Sequence, residues 1–132
     1  MRTPSKALHL REVVERYFQA LAAGDEERWI GCFAAGAGSF VPVGAAPIES
    51  TGELRSLFRG LRRAFAALSI VPDRVWDAPD GAAVKWTARG TGHNGRSVTF
   101  EGVDVFEIDD SGRIRTLWSY WDPEELAAAL GI

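Results

Sequence analysis

The chain has one cysteine, Cys32, in 132 residues. A lone thiol excludes an intrachain disulfide and argues against a cysteine-based metal site. Cys32 falls in an apolar stretch with helical spacing, where a buried and inert thiol is expected. No group of His, Asp and Glu residues has metal-ligand spacing. No metal and no cofactor is therefore expected. Lysine is nearly absent: Lys6 and Lys85 are the only two among 15 basic residues. The net charge of −3 leaves no case for the basic surface that nucleic acid or an anionic membrane requires. No apolar run approaches the roughly 18 residues of a membrane span, and the start lacks a basic, apolar and small-residue signal pattern. These absences predict a soluble, cytoplasmic protein without nucleic-acid or membrane partners.

The length suits one domain over residues 1–132, long enough to bury a real core. Five Trp and seven Phe are many for that length. They imply a large aromatic core, a pocket, or an apolar interface between copies.

Leu10, Val13, Val14, Tyr17, Phe18 and Leu21 recur at three- and four-residue steps and predict a first helix. Ser5 can cap its start and Gly24 its end. Asp25 then caps a short second helix expected to carry Trp29, Ile30 and Phe33, broken by Gly36 and Gly38. Residues 39–43 predict a short strand or extended loop, which Pro42 confines to an edge. Ser50 and Glu53 form a capping box for a third helix with the stripe Leu54, Leu57, Phe58, Leu61, Phe65 and Leu68. Four strands follow, over 70–76, 83–91, 98–108 and 114–121, joined by Pro79-Asp80-Gly81, His93-Asn94-Gly95-Arg96 and Asp109-Asp110-Ser111-Gly112. His93 in its hairpin is expected to be exposed. Asp122, Pro123 and Glu125 start a terminal helix. Helices beside one long antiparallel meander predict an α+β domain with a concave space between sheet and helices.

Asp104 is the most informative residue of that meander. Strand alternation places it on one face with Phe100, Gly102 and Phe106. An acid on an apolar face either ionises at a large desolvation cost or keeps its proton and becomes a donor. A neutral acid of that kind can stabilise a developing oxyanion. The alternative is a structural Asp bonded to a backbone amide or a nearby Arg. Gly102 leaves space beside it, for a ligand or for close backbone contact. Tyr17 carries a similar choice between a pocket group and a core tyrosine.

The element order, with Tyr17 in the first helix, resembles the ketosteroid isomerase branch of the nuclear transport factor 2-like cone fold, which the SnoaL-like polyketide cyclases share. The stretches that carry the resemblance are Val14-Glu15-Arg16-Tyr17 through Gly24-Asp25, Pro47-Ile48, Gly102-Val103-Asp104-Val105-Phe106, and Gly112-Arg113-Ile114 through Tyr120-Trp121-Asp122. The resemblance implies a curved antiparallel sheet wrapped around three N-terminal helices and enclosing a pocket. In those isomerases a phenol and a protonated Asp form an oxyanion hole, and a second Asp shuttles the proton. By position the phenol matches Tyr17 and the protonated acid matches Asp104. The shuttling Asp falls at Val41, and two supporting tyrosines fall at Phe33 and Phe58. The acid that cyclases place on the last strand has no counterpart in Thr116-Leu117-Trp118-Ser119-Tyr120. Of the Asp-Arg-Asp group of the limonene epoxide hydrolase relatives, Asp104 and Arg89 can supply two members.

The resemblance thus implies half of an isomerase site without its base. The expected pocket residues are Trp29, Phe33, Phe40, Val41, Phe58, Gly102, Ser119 and Trp121. Glu49 lies either at the pocket mouth or in a solvated loop. The expected function is binding of a hydrophobic, oxygen-bearing small molecule, with Tyr17 and Asp104 as hydrogen-bond donors. If catalysis occurs, it is of isomerase or cyclase type. The alternative is a non-catalytic ligand-binding or dimeric scaffold protein. By family position Leu117, Ser119 and Trp121 face the cavity, which turns Trp118 and Tyr120 outward. Exposed aromatics of that size imply a homodimer through the outer sheet face.

Overall fold

The computed structural model describes residues 6–131. Ser5, the expected first cap, lies outside them. Helices α1 (Lys6–Ala23) and α2 (Glu26–Ile30) precede strand β1 (Phe33–Phe40) and helix α3 (Thr51–Ala64). Strands β2 (Ala67–Ala78), β3 (Gly81–Thr91), β4 (Ser97–Ile108) and β5 (Ile114–Tyr120) then run as a meander, and helix α4 (Pro123–Leu130) ends the chain.

The apolar stripe of α1, from Leu10 to Leu21, is buried against the sheet. Gly24 ends the helix in the left-handed region at φ 68°. That backbone conformation requires glycine; a Cβ there would lie 2.7 Å from the Arg62 guanidinium, which could swing aside. Ser50 caps α3 by accepting from the Glu53 amide at 3.1 Å, and the Glu53 carboxylate accepts from the Ser50 hydroxyl at 2.9 Å. Asp122 caps α4 by accepting from the Glu124 and Glu125 amides. These elements form where local chemistry directs them.

The first strand runs over Phe33–Phe40 rather than 39–43, the second over Ala67–Ala78 rather than 70–76, and two residues thereby change element through pairing that is distant in sequence. Phe33 opens β1 instead of closing α2. Its neighbour Cys32 accepts from the Ile114 amide at 2.8 Å, and Phe33 pairs with Ile114 in a parallel ladder. Cys32 therefore sits in the connection, buried, with its thiol pushed up to about 11 by that burial. Leu68, expected on the third helix, belongs to β2. The helix ends at Ala64, and Phe65 is already extended at φ −126°, ψ 144°. There the strand period takes over, and Leu68 and Ile70 pack half-buried against the core.

The five strands form one sheet in the order β1-β5-β4-β3-β2, curved and unclosed. Only β1 is parallel to its neighbour; the other pairs are antiparallel. The inner face turns Val84, Trp86, Ala88, Phe100, Asp104, Phe106, Leu117 and Ser119 toward the helices, and all are buried. Among the described residues no helix is long and apolar enough to cross a membrane.

Candidate functional site

Asp104 stands in the middle of β4 directly opposite Ser119 of β5. It is 3% exposed. The Ser119 hydroxyl donates to its Oδ1 at 2.6 Å. Among the described residues no Lys or Arg forms an ion pair with it, so its anchor is a neutral hydroxyl. Burial pushes the carboxyl up to about 6. The Ser119 hydroxyl pulls the other way, followed by the Trp86 indole and the Tyr17 hydroxyl. A carboxyl with that pKa is roughly nine-tenths ionised at pH 7. It therefore accepts hydrogen bonds at neutral pH and becomes a donor in mild acid.

Tyr17 comes from the buried stripe of α1, and its ring packs on Phe106 at 5.0 Å, Phe18 at 5.1 Å and Trp29 at 5.8 Å. Burial first, then the nearby Asp104 charge, raise its phenol well above the ordinary tyrosine value. It keeps its proton at every physiological pH. The Trp29 indole acts on the phenol oxygen in the opposite sense. Phe33 and Phe58, at the positions of the supporting tyrosines, have no hydroxyl to offer.

A cavity of about 80 Å³ opens between sheet and helices, and Tyr17 and Asp104 both line it. Trp29, Val41, Phe58, Ser119 and Trp121 line it too. Its deep end is buried, and its rim is built from the partly exposed Leu57, Leu61, Ile70, Trp121 and Leu126. Among the described residues Asp104 is the only carboxylate in the lining. Val41 offers no proton acceptor.

Three of the expected pocket residues stand elsewhere. Phe33 packs behind the wall, 4.9 Å from the Trp29 ring, and lines a separate recess with Glu49. Phe40 lies on the outer face, paired with Trp118 and stacked on it at 6.5 Å and 7°. Gly102 does not leave room for a ligand. A Cβ there would lie 2.5 Å from the Trp86 ring and 2.5 Å from the Tyr120 carbonyl, so Trp86 takes that space. Arg89 alternates with Ala88 and is exposed on the opposite face, away from Asp104. Phe18, Leu21, Leu57, Leu61, Ile70, Trp86, Phe100 and Leu126 complete the lining and were not expected from the sequence. Alternation within β3 puts Trp86 with Val84 and Ala88, but only the register Trp86↔Gly102 brings it beside Asp104.

Among the described residues no group of three His, Cys, Asp or Glu could hold a metal ion. The polar equipment of the cavity is one carboxyl, two hydroxyls and the indole N–H groups around them. Such a set can bind a polar oxygen and exchange one proton, but it offers no second carboxylate for a relay.

The family model of the SnoaL-like domain matches residues 14–117. Among solved structures, an LEH-like epoxide hydrolase of M. tuberculosis superposes with a TM-score of 0.78 at 20% identity, over 97% of this chain and 89% of that one. An epoxide hydrolase/cyclase-like enzyme of pyran ring formation in the polyether salinomycin gives 0.80 at 24% identity, over 89% and 94%. An NTF2-like protein of unknown function from Burkholderia pseudomallei gives 0.82 at 21% identity, over 94% and 98%. At these identities the likeness is one of fold.

Proposed function

Since the chain belongs to the SnoaL-like domain family, we propose that it is a small-molecule pocket protein for a hydrophobic, oxygen-bearing ligand. The observation that carries this reading is the single buried carboxyl of Asp104 at the floor of an otherwise apolar cavity, within reach of the Tyr17 phenol. Tyr17 donates to the ligand oxygen. Asp104 accepts at neutral pH and donates below its raised pKa, so any chemistry is a single proton transfer through Asp104. A shuttle between two carbons is disfavoured, because Val41 occupies the base position and the described lining residues include no other carboxylate. Size also discriminates. A cavity of about 150 Å³ takes one benzene ring, so the 80 Å³ here admits a headgroup and a few carbons while the rest of the ligand lies along the rim.

The test is tryptophan fluorescence, because Trp29, Trp86 and Trp121 line the cavity. Titration with a panel of small cyclic alcohols and ketones is expected to change the emission of the wild type. Tyr17→Phe and Asp104→Asn are expected to weaken binding about three- to thirtyfold, the worth of one hydrogen bond to a neutral or charged group. A panel that leaves the emission unchanged defeats the pocket reading.

We also propose that a second copy of the chain covers the outer sheet face. The ladders align Trp76, Ala83, Val105, Trp118 and Phe40 in one apolar row across all five strands. Tyr120 and Val103 pair in the adjoining row, and Tyr120 is half exposed. Five strands, with four gaps of about 4.8 Å, span roughly 19 Å between the outermost strand axes, a face broad enough to contribute to the ~800 Å² per partner of a stable interface. A two-fold pairing would bury the row against itself. Light scattering is expected to give a dimer for the wild type and a monomer for Trp118→Glu, which desolvates a charge twice per dimer. A wild type that stays monomeric at high micromolar concentration defeats this proposal.

A further inference from the structure

Two donors in the cavity wall lie outside hydrogen-bonding geometry with every described protein group. The Trp29 and Trp86 Nε1–H groups are buried and unpartnered among the described residues. Their side chains are 2% and 5% exposed, and both line the cavity. The Trp86 N–H bears on the Asp104 carboxyl, and the Trp29 N–H bears on the Tyr17 phenol oxygen. Neither reaches a full hydrogen bond, so both donors converge on the polar floor without being used there.

Indole N–H can only donate. A buried donor left unmade is costly, and native proteins keep few of them. The carboxylate of Asp104 can only accept, and Ser119 uses one of its roughly four lone-pair sites. The partner that fits this floor must therefore give one hydrogen bond and receive others at nearly the same point.

The main ligand classes can be sorted by that requirement. A ketone or ether accepts from the indoles but sets its lone pairs against the carboxylate. A carboxylate ligand meets like charge in a site of low dielectric. A cation would need ring faces. Here Trp29 packs edge to face with Phe33 and Trp86 with Phe100, so these rings are already engaged with one another. Of these classes a hydroxyl satisfies both sides, donating to Asp104 and accepting from an indole.

We propose that the cavity floor is a receptor for the hydroxyl of a small neutral alcohol, with the Trp86 indole and the Tyr17 hydroxyl, itself backed by the Trp29 indole, as the two donors to its oxygen and Asp104 as the acceptor of its proton. This rests on the pocket reading above and narrows it from any oxygen-bearing ligand to an alcohol.

The experiment compares cyclohexanol, cyclohexanone and methoxycyclohexane on the full chain, following binding by calorimetry and by the indole N–H signals in a ¹⁵N-labelled sample. Trp29→Phe and Trp86→Phe assign the two signals. At pH 7.5 the alcohol is expected to bind about tenfold or more tightly than the ketone or the ether, and to shift the Trp86 and Trp29 signals. Its affinity is expected to fall about tenfold at pH 5, because only the ionised fraction of Asp104 accepts. Trp86→Phe is expected to weaken the alcohol about three- to tenfold, one neutral hydrogen bond. Equal binding of ketone or ether, affinity that rises toward pH 5, or unmoved indole signals overturns the alcohol assignment and leaves the wider pocket reading standing. Binding of none of the three overturns both. The comparison of wild-type affinities decides the matter even if a tryptophan variant fails to fold.

Discussion

The two faces of one sheet treat the same side chain in opposite ways. Asp104 and Asp73 are both aspartates held by hydroxyls of neighbouring strands. On the inner face Asp104 has Ser119 and no cation, and burial raises its carboxyl to about 6. On the outer face Asp73 accepts from the Lys85 ammonium at 2.7 Å and from the Thr87 hydroxyl, and its carboxyl is held below the ordinary range. Lys85 also pairs with Glu101, and Arg115 pairs with Glu107 on that side. Position in a β-strand therefore does not set the chemistry of an acid; solvent and partner do. The outer acids are neutralised by neighbours, whereas the inner acid is left for something else to meet.

The sharpest way to break this contrast is to remove a wall of the inner face. Phe106 is 1% exposed and packs on Tyr17 at 5.0 Å. Phe106→Ala is expected to cost about 3–5 kcal/mol, the lost transfer energy plus the cavity left behind. Thr99 on the opposite face of the same strand is exposed, and Thr99→Ala is expected to stay within about 0.5 kcal/mol. Urea unfolding of both variants measures the difference. A Phe106→Ala cost near that of Thr99→Ala would mean that the inner face is not the core.

Next in size is the linkage of Asp104 to stability. Its pKa is raised in the folded chain, so the unfolded chain releases this proton first. Stability from this group is full below pH 4 and is lost as pH rises toward the folded value of about 6. The cost at pH 7 is on the order of 3 kcal/mol. Asp104→Asn is expected to flatten the stability profile between pH 4 and 7 relative to the wild type. Carboxyl-carbon NMR of Asp104 gives the same answer directly. A titration midpoint at or below 4 would show a solvated or paired acid and remove the basis for its role in the cavity.

How far the sequence foretold this site depends on the range of the interaction. Helices α1, α3 and α4 and the tight turns were legible because caps, apolar steps and glycines act within a few residues. Strand alternation likewise placed Asp104 with Phe100 and Phe106. What escaped was pairing between distant segments. The parallel ladder of β1 on β5 draws Phe33 out of the helix and sets Phe40 opposite Trp118. Because side chains alternate, a placement wrong by one residue turns a pocket residue into a surface one. That is the case for Phe40 beside Val41. Trp86 escaped for a related reason. Its face followed from β3 alone, but its neighbour Gly102 followed only from the register with β4.

The smallest expected effect tests the outer half of the comparison. Asp73 has a depressed pKa, caused first by the Lys85 ammonium and then by Thr87. The sign is therefore the reverse of that for Asp104. Its contribution is present above the ordinary aspartate value of about 3.9 and is lost as pH falls through the lower folded value. Asp73→Asn should thus lie below the wild type by a constant offset from pH 4 to 7, and that offset should fade below pH 4 as the wild type loses the contribution. Asp73 and Lys85 are about one-third exposed, so salt screens them. The difference between Asp73→Asn and wild type should shrink in 0.5 M sodium chloride, whereas the Asp104→Asn difference should persist because that carboxyl is out of reach of ions. Urea midpoints at pH 2.5, 4 and 7, with and without salt, separate the two. An Asp73 offset that ignores salt, or that varies between pH 4 and 7, would place that acid in an environment like that of Asp104 and erase the distinction between the faces.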